Sequence, residues 1–497
     1  MDETKQDLEK VIARIAPDGE KTVLELLREQ GVPIRSDCGG NGICGKCRVS
    51  ADGEHFLACR TVPDREMTVI VDDDVLSDEE LLTELSGSAR AMAGRGEAGG
   101  PDAAKDTAPD TAKDTAYHGY CLAVDLGTTT VAAALISPEG EIIAEAGKAS
   151  SQRSYGDDVI SRIEAACSGK SESLRHAARG DVEALRLRCC GDAGVPSTAV
   201  RSTVIAGNTA MEHLYMGYDV KGLAQAPYEA YTTDLIYNAA TVLLPCISPF
   251  VGADVLAGMA CVDFDAGKGY NAFVDIGTNG EIALACPDEI LVTSTAAGPA
   301  LEGAGISCGM AAQKGAVRDV QISGDLKHFD VIGGEDPEGL CGSGVIALTA
   351  ELLKNGILDR SGAFVRGFGD GYQIARGVRF TQDDVRRVQT AKAAIRAGLE
   401  VLLAEAGIDA GDLGKLYVAG GFGKWIDPDK AFAIGLFPEK LRGKTEICGN
   451  TSLGGAIGFG RGEITEERLD AIKARTRVIE LADDPRFRDE YISNMDF

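Results

Sequence analysis

The chain has 497 residues, a formal charge of −27, 44% hydrophobic residues and 26% charged residues. That length exceeds what one compact core accommodates, so two or more domains are expected. The acidic balance argues against nucleic-acid binding, which needs an excess of Lys and Arg, and suits solubility and a partner with a basic docking surface. No apolar run approaches the roughly 20 residues that span a bilayer, so no membrane association is expected. The opening MDETKQDLEK is charged from its second residue and does not read as a signal peptide. With fourteen cysteines and no export signal, a reducing, cytoplasmic setting is expected, where grouped cysteines more often bind metal than pair.

Residues 1–85 hold short β-like and helical runs around Cys38-GGNGI-Cys44-GK-Cys47, followed by Cys59. Four thiolates complete the ligand set of a [2Fe–2S] cluster, and three of them sit on one tight loop. Gly39, Gly40, Gly42 and Gly45 permit that loop's turns and leave amide N–H groups to bond the sulfides. The fourth ligand arrives after RVSADGEHFLAC, in which Asp52-Gly53 signals a hairpin turn. A structural zinc site also accepts four thiolates, but zinc does not call for the Gly-rich first loop. The region resembles a plant-type ferredoxin domain, with a first gap of five residues where C-x4-C is usual and a fourth cysteine much closer than is typical. His55 reads as a hairpin surface residue, and the remaining cysteines read as packing.

Residues 86–117 are rich in Gly, Ala, Asp and Pro, with Asp-Thr-Ala recurring from Asp106, Asp110 and Asp114. So little apolar surface predicts a flexible tether whose ends lie roughly 30 Å apart on average.

From 118 to 497 the pattern alternates β-branched runs with amphipathic helical segments, as α/β domains do. YCLAVDLGTTTV at 120–131 and NAFVDIGTNGEIAL at 271–284 are each an apolar run ending in Asp-x-Gly-Thr and leading into another. Each reads as a β-hairpin whose tip wraps phosphate. Asp125 and Asp275 stand where Mg²⁺ is held, Gly127 and Gly277 let the backbone approach, and Thr128, Thr129, Thr278 and Asn279 donate to phosphate oxygens. Two copies suggest an internal duplication. KLYVAGGFG at 415–423 is a strand running into Gly420, Gly421 and Gly423, which would let the chain lie flat beside adenine or ribose. GLCGSGVIAL at 339–348 opens a helix at Gly342, Ser343 and Gly344, facing phosphate or acting as a hinge between lobes.

This order of motifs resembles the acetate kinase/sugar kinase/heat-shock-protein/actin superfamily. The resemblance implies two ribonuclease-H-like subdomains with ATP between them, in lobes of about 118–265 and 266–465 with a C-terminal extension at 466–497. It also implies an acidic group that positions the attacking water. Asp254, 21 residues before Asp275, serves either there or as a helix cap, with Asp157 and Asp158 as rivals.

A two-lobed α/β ATPase behind a small α+β ferredoxin-type domain resembles the reductive activators of corrinoid proteins. Further family-like stretches are VIAGNTAMEHLYMG at 204–217, APY at 226–228 and CGNTSLGGAIGFG at 448–460. Asn208 and Asn450 within them read only as loop and helix caps. The resemblance implies ATP-driven reduction of Co(II) to Co(I) in a methyltransferase system, with a corrinoid protein as partner, a low-potential electron donor and a homodimeric state. Alternatives are another ATP-driven electron donor, of the 2-hydroxyacyl-CoA dehydratase activator type, a small-molecule kinase with a regulatory iron–sulfur domain, and an actin-like scaffold.

Overall fold

The computed structural model describes residues 11–17, 19, 21–30, 32, 34, 47–51, 53–71, 119–156, 158–267, 269–324, 326–365, 367–369, 371–421 and 425–497. Cys38, Cys44, the 86–117 segment, Asp157 and Gly423 lie outside the described residues.

In the N-terminal region alternation of apolar and polar residues gives half-buried strands. Ala13 and Ile15 of β1 (Val11–Ile15) point inward, whereas Ile12 and Arg14 alternate outward, Ile12 being 65% exposed. With β2 (Arg48–Ala51), β3 (Glu54–Leu57) and β4 (Met67–Val71) it forms an antiparallel sheet of order β1-β4-β2-β3. The helix Val23–Glu29 closes its core, into which Cys47 and Cys59 are packed.

The next sheet has central strands, Tyr120–Leu126 and Thr130–Ile136, buried on both faces, which explains their apolar runs. It comprises β5 (Tyr120–Leu126), β6 (Thr130–Ile136), β7 (Ile142–Ala149), β8 (Val200–Gly207), β9 (Ile236–Asn238) and β10 (Thr241–Leu243), in the order β7-β6-β5-β8-β10-β9. The first three form an antiparallel meander, and β8 and β10 run parallel to β5. Leu122, Val124 and Leu126 face Ala178, Val182 and Leu185 of the long helix Ser171–Ala193, while Cys121 and Ala123 face the other way.

The same plan recurs in the second lobe. Here β11 (Tyr270–Ile276), β12 (Gly280–Ala285) and β13 (Ile290–Thr295) form the meander. Two insertions follow, a sheet of β14 (Ala316–Ser323), β15 (Leu326–Val331) and β16 (Gly339–Leu340), then a hairpin of β17 (Gly371–Ala375) and β18 (Val378–Thr381). Parallel strands β19 (Leu413–Ala419) and β20 (Thr445–Gly449) complete the repeat, and β21 (Thr476–Val478) adds to β13. Both sheets thus run third-second-first-fourth and then one further parallel strand, β10 in the first (with the short β9 outside it) and β20 in the second. This is the ribonuclease-H-like order expected of a duplicated two-lobed α/β ATPase.

Two small-residue helices join the lobes. Ala253–Cys261 and Thr451–Gly460 cross so closely that a Cβ on Gly455 would sit 2.3 Å from the Ala257 carbonyl. Their shared core takes Ala123 and Val204 from the first sheet and Phe273 and Ala283 from the second. The chain therefore returns, late in the sequence, to pack Thr451–Gly460 against β5, β6 and β8. Among the described residues no helix is long and apolar enough to cross a membrane.

Candidate functional site

The duplicated hairpins set the site. Asp125 is the penultimate residue of β5, beside Ala206 of β8, and Asp275 is the penultimate residue of β11, beside Ala419 of β19. The first turn requires glycine, because a Cβ on Gly127 would lie 2.4 Å from the Thr130 carbonyl. In the second, the Gly277 amide donates to the Asn279 carbonyl at 2.9 Å. The two tips meet. Thr129 Oγ1 and Thr278 Oγ1 are 3.4 Å apart, and Thr278 Oγ1 donates to Glu302 Oε2 at 2.7 Å.

Around these tips carboxylates converge. Burial pushes Asp125 up, against hydrogen bonds donated by Asn450 Nδ2 and Ser452 Oγ, each at 2.8 Å. Burial, reinforced by Asp125, pushes Asp254 up to about 7. Asp275 is raised well above the ordinary range by burial and then by Asp254, Asp125 and Glu302. Glu281, opposite Asp275 on β12, is raised by burial and then by Asp254 and Asp275, and accepts from Ser294 Oγ at 3.2 Å. Glu302 is raised by burial. Mutual repulsion of this kind is what a divalent cation relieves. Among the described residues no three His, Cys, Asp or Glu side chains form a cage for a metal. Mg²⁺ fits such a place through one or two carboxylates with the rest of its shell from phosphates and water.

Asp254 is not the N-cap residue, which is Gly252, but it sits in the first turn of Ala253–Cys261. Its carboxylate accepts from the adjacent Val255 amide at 2.9 Å, so it also satisfies one of that helix's free N-terminal amides. Asp158 is exposed and caps Val159–Ala165 by accepting from the Ser161 amide at 2.7 Å.

Thr128 is gripped twice. Its carbonyl accepts from Arg162 Nη2 at 2.6 Å, and its hydroxyl accepts from Asn208 Nδ2 at 3.0 Å. Arg162 is fully buried and also donates to the Gly156 carbonyl at 2.9 Å. Asn208 and Asn450 do cap helices, as their positions suggest, but each also spends its amide group on the first hairpin. Sequence reasoning missed Arg162, Glu281, Glu302 and Ser452. The one available signal was Glu281, which directly follows the second phosphate motif.

The glycine motifs are close-contact sites. Gly420 has φ +128° and its Cβ would lie 2.4 Å from the Ile276 carbonyl, so the end of β19 passes flat against the strand leading to the second tip. Gly421 is exposed. Gly342 and Gly344 press on the Leu301 and Val317 carbonyls, at 2.3 and 2.0 Å from a built Cβ, and Ser343 is buried and donates to the Arg318 carbonyl at 2.9 Å. This helix start thus abuts the turn that carries Glu302.

In the N-terminal domain the β2–β3 hairpin pairs Arg48 with Leu57, and the Ala58 amide donates to the Cys47 carbonyl at 2.9 Å. Cys47 and Cys59, 1% and 8% exposed, are thereby brought to one end of the sheet. Two cysteines brought to the same end of one hairpin fit half of a four-thiolate cluster site.

Residues 9–64 match the 2Fe-2S iron-sulfur cluster binding domain, 120–267 the RACo middle region, and 270–497 the C-terminal domain of RACo, the ASKHA domain. The chain is 33% identical over 419 residues to the corrinoid activation enzyme RamQ of Eubacterium limosum, covering 76% of this chain and 70% of that one. It is 31% identical over 295 residues to the [Co(II) methylated amine-specific corrinoid protein] reductase of Methanosarcina barkeri, covering 54% of each. A solved reductive activator for a corrinoid, iron-sulfur protein superposes with a TM-score of 0.72 at 25% identity, over 97% of this chain and 96% of that one. The chain belongs to the RACo family of reductive activators of corrinoid proteins.

Proposed function

We propose that this protein couples ATP hydrolysis in the interlobe cleft to reduction of a corrinoid protein's Co(II) to Co(I), with electrons relayed through its N-terminal [2Fe–2S] domain. The observation that carries the reading is the joining, in one chain, of buried thiols on a ferredoxin-like hairpin to a duplicated cleft in which two Asp-x-Gly-Thr tips meet. When bound, the cluster supplies one-electron transfer, at about −400 mV for the plant type. Reaching Co(I) demands a lower potential, and each 59 mV of shortfall in a one-electron couple is a tenfold loss in equilibrium constant. ATP supplies the difference by altering the complex with the corrinoid protein.

Each residue has a part in this scheme. Asp125 and Asp275 organise Mg²⁺ between the hairpins. Gly127, Thr128, Thr129, Gly277, Thr278 and Asn279 surround the phosphates. Gly420, Gly421 and Gly423 border the nucleoside, and the helix starting at Gly342 backs the second tip. Asp254 orients the attacking water, supported by its place beside Asp125 in the cleft. Cys38, Cys44, Cys47 and Cys59 hold the cluster. Residues 86–117 tether domain 1–85 to domain 118–497. The protein works as a cytoplasmic homodimer, reloaded by a low-potential electron donor.

The test is anaerobic spectroscopy of a Co(II) corrinoid protein mixed with this protein. Co(I) should form only with reductant, intact cluster and MgATP together, and the corrinoid protein should stimulate ATP hydrolysis. Cobalt reduction that proceeds equally without ATP would overturn the reading, as would steady phosphorylation of a small metabolite.

A further inference from the structure

Asn208 follows β8 and begins the helix Thr209–Met216, and its two side-chain ends do different things. Oδ1 accepts from the Met211 amide at 3.0 Å, the ordinary N-cap bond. A backbone amide can only donate, so the other end is necessarily the NH₂ group. That group meets Thr128 Oγ1 at 3.0 Å. The Thr128 oxygen is therefore the acceptor, and its single proton must go elsewhere. Among the described residues it has no acceptor. Thr278, at the second tip, differs in this respect, because its hydroxyl already donates to Glu302 at 2.7 Å.

We infer that Asn208 is a positioning residue for nucleotide, setting the polarity of the Thr128 hydroxyl so that its proton is committed to a phosphate oxygen. The inference rests on the reading of the first hairpin as a phosphate loop. The arrangement is rigidly backed. A Cβ on Gly252 would lie 2.4 Å from Asn208 Cα, Thr209 Oγ1 donates to the Ser248 carbonyl at 2.7 Å, and Arg162 fixes the Thr128 carbonyl. A cap alone does not require asparagine, because Asp and Ser cap helices about as well. Only asparagine of the three both accepts at the cap and donates an amide N–H to the threonine. Aspartate would accept at both ends and draw the Thr128 proton away from the ligand.

The experiment compares ATP affinity, by calorimetry on the full-length protein, with thermal stability, for Asn208→Asp, Asn208→Ser, Thr128→Val and the Asn208→Ser/Thr128→Val pair. Both Asn208 variants should melt close to the native protein. ATP affinity should fall about tenfold in Asn208→Ser and further in Asn208→Asp, the scale expected when a hydrogen bond to a charged group is lost. Thr128→Val should weaken ATP similarly, and adding Asn208→Ser to it should cost nothing more. Native affinity in both Asn208 variants, with Thr128→Val weakened, would overturn the inference and leave Asn208 a cap. Additive losses in the pair would also overturn it, because Asn208 would then act by another route. Native affinity in Thr128→Val would remove the phosphate-loop reading itself, and the inference with it. Should Asn208→Asp fail to fold, Asn208→Ser, which adds no charge, carries the comparison.

Discussion

Asn450 donates its side-chain amide to Asp125 at 2.8 Å across a separation of 325 residues, so the carboxylate of the first hairpin is oriented by a helix near the far end of the chain. Ser452, two residues on, holds the other oxygen at 2.8 Å. A carboxylate with both oxygens held presents its remaining lone pairs in one fixed direction. Asp125→Asn should abolish ATP hydrolysis. Asn450→Ala should lower it about tenfold, since a hydrogen bond to a charged group contributes about 1.5–3 kcal/mol and its loss also frees the cap. Ser452→Ala should fall between Asn450→Ala and the native enzyme. Steady-state ATPase assays with the visible spectrum as a folding control decide this; normal turnover in Asn450→Ala would show that Asp125 needs no such support.

Among the described residues Asp275 has no equivalent pair of neutral donors, and burial, then Asp254, Asp125 and Glu302, raise it. Asp275→Ala should abolish hydrolysis by removing the second hairpin's carboxylate while leaving the cluster spectrum unchanged. Unlike Asp125→Asn, it should raise the melting temperature of nucleotide-free protein measured in EDTA, because it relieves repulsion. A lowered melting temperature would mean that Asp275 is held by attraction rather than repulsion.

The pH dependence follows from Asp254, raised from 3.8 to about 7. Protons are then bound more tightly by the folded than by the unfolded chain, so stability from this group is fully present below about pH 4. It is lost as pH rises through about 7. Nucleotide-free, Mg²⁺-free protein should accordingly melt at lower temperature at pH 8 than at pH 6, and Asp254→Asn should flatten the difference. Catalysis runs the other way, because a carboxylate that orients water works ionised. ATPase activity should rise through the same window in the native protein and be lost in Asp254→Asn. A flat rate profile between pH 6 and 8 would exclude Asp254 as that group.

For the N-terminal domain, anaerobically purified protein should contain about two irons and two sulfides per chain, as a [2Fe–2S] cluster requires. Cys47→Ser and Cys59→Ser should each bleach the visible spectrum and stop cobalt reduction, with nucleotide binding retained. Tightly bound zinc after reconstitution with iron and sulfide would rule out the electron-transfer reading.

The linker reading is tested by length against sequence. Deleting 99–115 removes about half of the segment and should shorten the reach of a flexible coil by roughly 30%. Cobalt reduction should slow, with basal ATPase activity unchanged. A Gly/Ser stretch of equal length in its place should restore the rate. Failure of that replacement would show that the Asp-Thr-Ala repeats make a specific contact.

The sequence by itself determined the elements and their order. The apolar runs around DLGTT and DIGTNGE became β5–β6 and β11–β12, and AGG and GSG stand where a strand ends and a helix begins. These features depend on hydrogen bonds and side-chain periodicities within a few residues, so a linear reading captures them. Tertiary structure alone decided which groups meet. Arg162 reads as one more charged residue on a short helix, yet it lies fully buried beneath Thr128. Glu302 sits in an unremarkable Gly-Ala-Pro-rich segment, yet it accepts the hydrogen bond of the Thr278 hydroxyl. Asn450 and Ser452 reach Asp125 only because Thr451–Gly460 leaves the second lobe and packs on the first sheet. That return is set by glycine and alanine surfaces crossing at close range between two helices, a complementarity of shape that neither helix carries on its own.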